Sequence, residues 1–141
     1  MIITNMFRTE HGIVVWDLLQ AKLSDKPMHE IAIGDHCTSL AWLHTQPCLV
    51  AGLSSKIVKI FDARSNMKTV NQTVTKATYG LSVDPGSDYR ISGYSETDPS
   101  VVIWDTRNFE KPIVTLNSAH QVEDKSFYGI VKLSGWIERK T

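Results

Sequence analysis

Five histidines, His11, His29, His36, His44 and His120, are the side chains of this 141-residue chain best suited to move a proton near neutral pH. Two have a reactive neighbour in sequence. His29 is followed by Glu30, the composition of an acid and base, and His36 stands close to the hydroxyl of Ser39. A serine nucleophile needs a base within hydrogen-bond reach and a third group that orients the base. No H-E-x-x-H, G-x-S-x-G or phosphate-cradling glycine loop supplies that setting. His29-Glu30 therefore reads as an exposed strand pair and Ser39 as a turn partner. Cys37 and Cys48 lack the C-x-x-C spacing of a zinc site and read as reduced interior thiols. No cofactor, no metal and no enzyme activity are expected.

The elements that would hold such side chains are short strands. Three segments end in nearly the same word: Gly12-Ile-Val-Val-Trp-Asp17, Val58-Lys-Ile-Phe-Asp62 and Val101-Val-Ile-Trp-Asp105. The aspartates lie 45 and 43 residues apart, and the last two are followed by Arg64 and Arg107. A period of about 40–45 residues, marked by a β-branched run, an aromatic and Asp, is the signature of WD-repeat propeller blades. The predicted fold is all-β: a partial WD-repeat β-propeller of about three blades, each an antiparallel four-stranded sheet. The units are residues 1–20, the end of a blade; 21–62 and 63–105, two blades; and 106–120, the start of another. Residues 121–141 form a divergent tail.

Within the units, Pro27-Met-His-Glu-Ile-Ala-Ile33 is predicted as an outer strand. Inner, second and third strands follow at 38–42, 47–51 and 56–62. Lys68-Thr-Val-Asn-Gln-Thr-Val74 repeats the outer strand, and 78–83, Arg90-Ile-Ser92 and 101–105 repeat the rest, which leaves Tyr94 in or near a loop. Val101 to Trp104 is apolar at every position. Such a strand must be covered on both faces, as a blade between two neighbours is.

WD blades often join a His, a Ser or Thr, an Asp and the Trp indole in a buried polar relay. The positions that fit are Trp16 and Asp17; His36, Phe61 and Asp62; and Ser92, Asp98, Trp104 and Asp105. The relay is eroded, because Ala51, Ser55 and Phe61 replace polar members in the second blade and the third has no His. Glu10 stands in the Asp position of the first. Hydrophobic packing is expected to hold the blades instead. Roughly three blades are fewer than the four to eight of a closed ring, so the chain reads as a segment of a larger protein.

Composition fits a folded binding module. The chain is 42% hydrophobic and 21% charged, above the range of disordered chains. Fifteen Lys and Arg balance fifteen Asp and Glu, which argues against a nucleic-acid or anionic-membrane surface. No apolar run approaches the roughly 18–20 residues that span a bilayer. The first eight residues lack a signal-peptide pattern, and a cytoplasmic setting is expected.

Between residues 31 and 116 the chain resembles the Mio (missing oocyte, meiosis regulator) subunits of the GATOR/SEA nutrient-sensing assembly. The match is carried by Gly34-Asp-His-Cys-Thr-Ser-Leu-Ala-Trp-Leu43, Leu49-Val-Ala-Gly-Leu53, Ile60-Phe-Asp-Ala-Arg64, Leu81-Ser-Val-Asp-Pro85 and Val102-Ile-Trp-Asp-Thr-Arg-Asn-Phe-Glu-Lys-Pro-Ile113. Phe-Asp in place of Trp-Asp, and Phe109-Glu-Lys-Pro112 after Trp-Asp-x-Arg, are more particular than generic WD features. The resemblance implies a non-enzymatic scaffold acting in amino-acid signalling to the TOR kinase at the lysosome surface. Its implied partners are other propeller-containing subunits, with no nucleic acid and no membrane insertion. Candidate interaction residues are Arg64, Arg107 and Glu96, the last in a lengthened loop 95–98. An alternative is a substrate receptor of a cullin ubiquitin ligase, whose adaptor box Asp98, Trp104, Asp105 and Arg107 would fit; a generic WD binding module is the bland alternative.

Overall fold

The computed structural model describes residues 2–5, 12–17, 26–31 and 34–117. Their strands form three antiparallel sheets in which neighbours in sequence are neighbours in space. The first holds β1 (Ile2–Asn5), β2 (Ile13–Asp17) and β3 (His29–Ile31). The second holds β4 (Cys37–Trp42), β5 (Cys48–Leu53), β6 (Ile57–Asp62) and β7 (Lys68–Val74). The third holds β8 (Gly80–Asp84), β9 (Ser87–Tyr94), β10 (Val101–Asp105) and β11 (Val114–Leu116).

Local chemistry explains the punctuation. β2, β6 and β10 are β-branched runs, which fit a pleated surface packed on neighbours. Each ends on the repeated Asp. After β6 the Asp62 carboxylate accepts the Arg64 N–H and starts a 3-10 turn, Ala63–Ser65, closed by Asn66 at φ 55°. Asn tolerates that left-handed conformation better than most residues.

β5 locks the stack, since every one of its residues is buried. Successive strand side chains point to opposite faces. Leu49, Ala51 and Leu53 join Ile13, Val15, Phe61 and Met67 in the seam between the first and second sheets. Cys48 and Val50 join Val58, Ile60, Ala77, Val83, Ile91, Trp104 and Phe109 in the seam between the second and third. Full burial of one such aliphatic or aromatic side chain is worth about 1.5–3 kcal/mol, so both seams are strongly favoured.

The sheets are offset by one strand from the repeat units 21–62 and 63–105. The outer strand that opens each unit pairs with the last strand of the preceding one: β3 with β2, and β7 with β6. The reason is chain reversal. A short turn after the closing Asp returns the backbone antiparallel to the strand it has just left. The second strands also run longer than predicted, to Leu53 in β5 and across Ser87–Tyr94 in β9. Tyr94 is accordingly a buried strand residue, 5% exposed, and not a loop residue. Gly80 makes room for it, for a Cβ there would lie 2.2 Å from the Tyr94 ring. The units 1–20 and 106–120 are described only in part, and Glu10, His11, His120 and the tail 121–141 lie outside the described residues.

Candidate interaction surface

Trp16, Phe61 and Trp104 sit one residue before the closing Asp of β2, β6 and β10. Phe61 fills the first seam, and Trp104, 1% exposed, fills the second with its ring 6.0 Å from that of Phe109. Phe61 and Trp104 hold sheets together.

Asp62 and Asp105, which follow Phe61 and Trp104, build a recurring clamp. Asp105 accepts the Arg107 backbone N–H at 2.8 Å, its Nε at 3.0 Å and its Nη2 at 2.7 Å. Asp62 holds Arg64 through the same three donors at 2.9, 3.2 and 3.3 Å. Hydrogen bonds from Arg107 hold the Asp105 carboxyl at about 2, and those from Arg64 lower Asp62 likewise. The Arg107 guanidinium also lies 4.3 Å from the centre of the half-exposed Tyr89 ring. Both arginines remain about two-thirds exposed, at 65% and 66%. Their polar forks are thus committed inside their own turn while their outer surface is open to a partner.

At the hairpin and loop ends, the residues at the positions of the eroded relay bond to other partners. His36 is exposed, and its carbonyl accepts the Ser54 N–H. Its neighbour Asp35 does the side-chain work, accepting from the Ser54 hydroxyl at 2.8 Å and the Ser55 hydroxyl at 2.5 Å. Burial pushes the Asp35 carboxyl up, yet the serine hydrogen bonds outweigh it and the net shift is downward. Ser92 donates to the Ser82 carbonyl at 3.4 Å, and Asp98 accepts from the Ser100 N–H and hydroxyl at 2.8 and 2.6 Å. Ser92 pairs across from Ile103 and Ile91 from Trp104, so alternation puts Ser92 and Trp104 on opposite faces. Glu96 is exposed beside these groups.

The chemistry-bearing pairs fare the same way. His29 and Glu30 are consecutive on β3 and project to opposite sides. Ser39 donates to the Thr78 carbonyl at 2.8 Å across the second seam, and Thr38 bonds the same carbonyl. Cys37 and Cys48 are free thiols. Burial lifts Cys37 to about 11 and raises Cys48, which disfavours the thiolate in both.

Sequence reasoning missed Asp88. This buried side chain, 5% exposed on β9, accepts the N–H groups of His44, Thr45 and Gln46 at 2.6, 2.5 and 3.1 Å, and the Thr45 hydroxyl. Its carbonyl takes the Thr106 hydroxyl at 3.2 Å, and the Thr106 carbonyl takes Asn71 Nδ2 at 3.4 Å. Asp88 thereby ties loop 44–46 to Thr106, whose own carbonyl is bonded from β7. The detectable signal was a lone Asp in a Gly-Ser-Asp turn, which carries no mark of a partner 43 residues away.

Antiparallel meanders stacked face to face, the second and third of four strands with an aromatic-Asp third strand, define blades of a WD-repeat propeller. A solved structure, "Crystal Structure of Mitotic Checkpoint Complex", aligns with a TM-score of 0.62 at 20% identity, covering 81% of this chain and 34% of that one. The family model "MIOS, WD40 repeat" matches residues 10–132, and the chain belongs to that family. It is 44% identical over 99 residues to "GATOR2 complex protein MIOS" of Danio rerio, covering 67% of this chain and 11% of the relative. To "GATOR2 complex protein Mio" of Drosophila melanogaster it is 29% identical over 112 residues, covering 79% and 12%. The chain spans about a tenth of the length of these relatives.

Proposed function

We propose that these blades are a non-enzymatic interaction scaffold, part of a GATOR/SEA-type subunit that acts in amino-acid signalling to the TOR kinase. The observation that carries the reading is the use made of polar groups. Asp35, Asp62, Asp88, Asp98 and Asp105 each hold a turn or a neighbouring sheet, His29 and Glu30 project to opposite sides of β3, and the Ser39 hydroxyl is held on the Thr78 carbonyl. What remains on the outside is surface for a partner, and the relatives' names place them in a protein complex. Other propeller-containing subunits are the partners, without nucleic acid or membrane insertion, on the cytoplasmic side at the lysosome. Arg64, Arg107 and Glu96 are the contact candidates.

The ligase-receptor reading turns on Arg107. Its fork is already occupied by Asp105 and its plane by Tyr89, which supports an intrablade role. The test is affinity capture from cells of the longer protein that contains these blades, as wild type and as Arg107→Ala. Recovery of GATOR/SEA subunits with both forms is expected. A cullin adaptor recovered with wild type and lost with the variant would overturn the scaffold reading.

A further inference from the structure

We propose that the outer edge of β7, the last strand of the four-stranded second sheet, takes an extended acidic segment of a partner protein as an added strand. The inference goes beyond the contacts named above, since it concerns the outer wall and not the arginine turns or Glu96. It holds whichever complex the blades serve.

The edge is a property of the fold. Among the described residues β7 pairs only with β6, and the second sheet is covered by a neighbour on each face. Further blades join a propeller face to face at its seams, so closing the ring leaves this edge on the circumference. Its backbone is turned outward in a fixed pattern. The Thr75 N–H donates to the Lys56 carbonyl at 2.9 Å, one step beyond the pairing of Val74 with Ile57. Ladder bonds alternate along an antiparallel pair, so the N–H and C=O groups of Gln72 and Val74 point away from β6. As that alternation requires, the outward Gln72 N–H is taken by the Asn71 side-chain oxygen at 3.0 Å and not by β6. The Val74 N–H and the Gln72 and Val74 carbonyls face an incoming strand.

Side chains decide what that strand is. Val74 is 81% exposed and Val70 54%, β-branched residues that suit a pleated contact. Lysines surround them: Lys68 opens β7, Lys59 lies opposite Gln72, Lys56 opposite Thr75, and Lys76 follows. They outnumber the nearby carboxylates. Asp62, opposite Lys68, is held by Arg64, while Asp35 and Asp98, toward the other end, are bonded by serines. Lysine on an edge opposes pairing with a like edge, and a strand with carboxylates at its ends relieves that cost. The occupant that fits is a segment apolar in the middle and acidic at both ends. Strand addition takes its affinity from main-chain bonds and its specificity from such side chains.

The experiment measures the fluorescence anisotropy of a labelled Glu-Glu-Val-Thr-Val-Thr-Glu-Glu peptide against the longer protein that contains these blades. Binding is expected, and the same peptide with Lys for every Glu is expected not to bind. Alternate N–H groups of an added strand face β7, so methylating the two Val nitrogens or the two Thr nitrogens should abolish binding in one case and spare it in the other. Val74→Pro removes an outward N–H at an edge position, where proline is tolerated, and should lose about tenfold in affinity, the equivalent of one net hydrogen bond. Lys59→Glu combined with Lys68→Glu should lose at least as much. No binding to wild type, equal effects of the two methylations, binding of the Lys peptide, full affinity in the lysine variant, or tighter binding to phosphatidylserine vesicles than to the peptide would each overturn the proposal. Should Val74→Pro fail to fold, the peptide series decides, for it leaves the protein unchanged.

Discussion

The buried carboxylate of Asp88 accepts the main-chain N–H of Thr45 at 2.5 Å across the seam between the second and third sheets. With the N–H groups of His44 and Gln46 it fixes a loop whose own residues are exposed. A buried acceptor with several donors is costly to remove, because the donors are then left unsatisfied.

Asp88→Ala is expected to destabilise the chain by about 3 kcal/mol, given that bonds to a charged group contribute roughly 1.5–3 kcal/mol. Burial raises the Asp88 carboxyl, but the Thr45 hydroxyl and the three N–H groups outweigh it and lower the net value. A group depressed in the folded state contributes fully above its unfolded value, here 3.8, and loses that contribution as pH falls through the folded value. Urea melts from pH 7 down to pH 2 check both points: the acid-side loss of stability should be smaller in Asp88→Asn than in wild type.

Trp104→Ala is expected to cost about 3–5 kcal/mol, the range for large aromatics deleted from a core. Tyr94→Ala should cost less, about 1–3 kcal/mol, because its ring meets Gly80, Val101 and the half-exposed Tyr79, whereas Trp104 lies in the main seam. Equilibrium unfolding of the two variants checks the order.

Much of this was readable in the chain. The aromatic-Asp words marked the ends of β2, β6 and β10 because β-branched runs and a turn-forming Asp act locally. Their period announced the stacked sheets, since each apolar strand needs two covered faces. Contacts that cross from one repeat to the next were not readable. Asp88 and Thr45 are joined only by folding, and nothing near either residue signals the other. His36 fits a WD-blade position by residue type, yet the carboxylate of Asp35 makes the bonds because it can accept two serine hydroxyls at once. The predicted strand 90–92 stops short of Tyr94, because an isolated glycine such as Gly93 commonly marks a strand end. In the structure Gly93 keeps the strand going where a side chain would not fit, its Cβ position being 2.5 Å from the Ala77 carbonyl.

Gly52 tests that close approach. A Cβ at Gly52 would lie 2.2 Å from the Thr78 carbonyl and 2.6 Å from Ser39 Oγ, so Gly52→Ala is expected to lose about 1–3 kcal/mol by forcing the seam apart. Gly86→Ala meets nothing nearer than 3.5 Å and should leave the thermal midpoint almost unchanged. Thermal melts of the two variants make the comparison.

The Asp105–Arg107 clamp predicts a carboxyl titration. Carbon-detected NMR should find the Asp105 midpoint near 2 in wild type and closer to the ordinary 3.8 in Arg107→Ala. Because the pair is exposed, the variant should fold as wild type does.

The central claim is that the polar groups and apolar faces of this chain serve the stacking of sheets, with the second sheet buried between its neighbours. Amide hydrogen exchange, read residue by residue, tests it most directly, because protection follows how deeply a strand is held in the cooperative core. The account predicts the slowest exchange in β5, covered on both faces from Cys48 to Leu53, and fast exchange in β11, exposed throughout. Amides of Leu49, Val50 and Ala51 exchanging as fast as those of Val114 to Leu116 would contradict it.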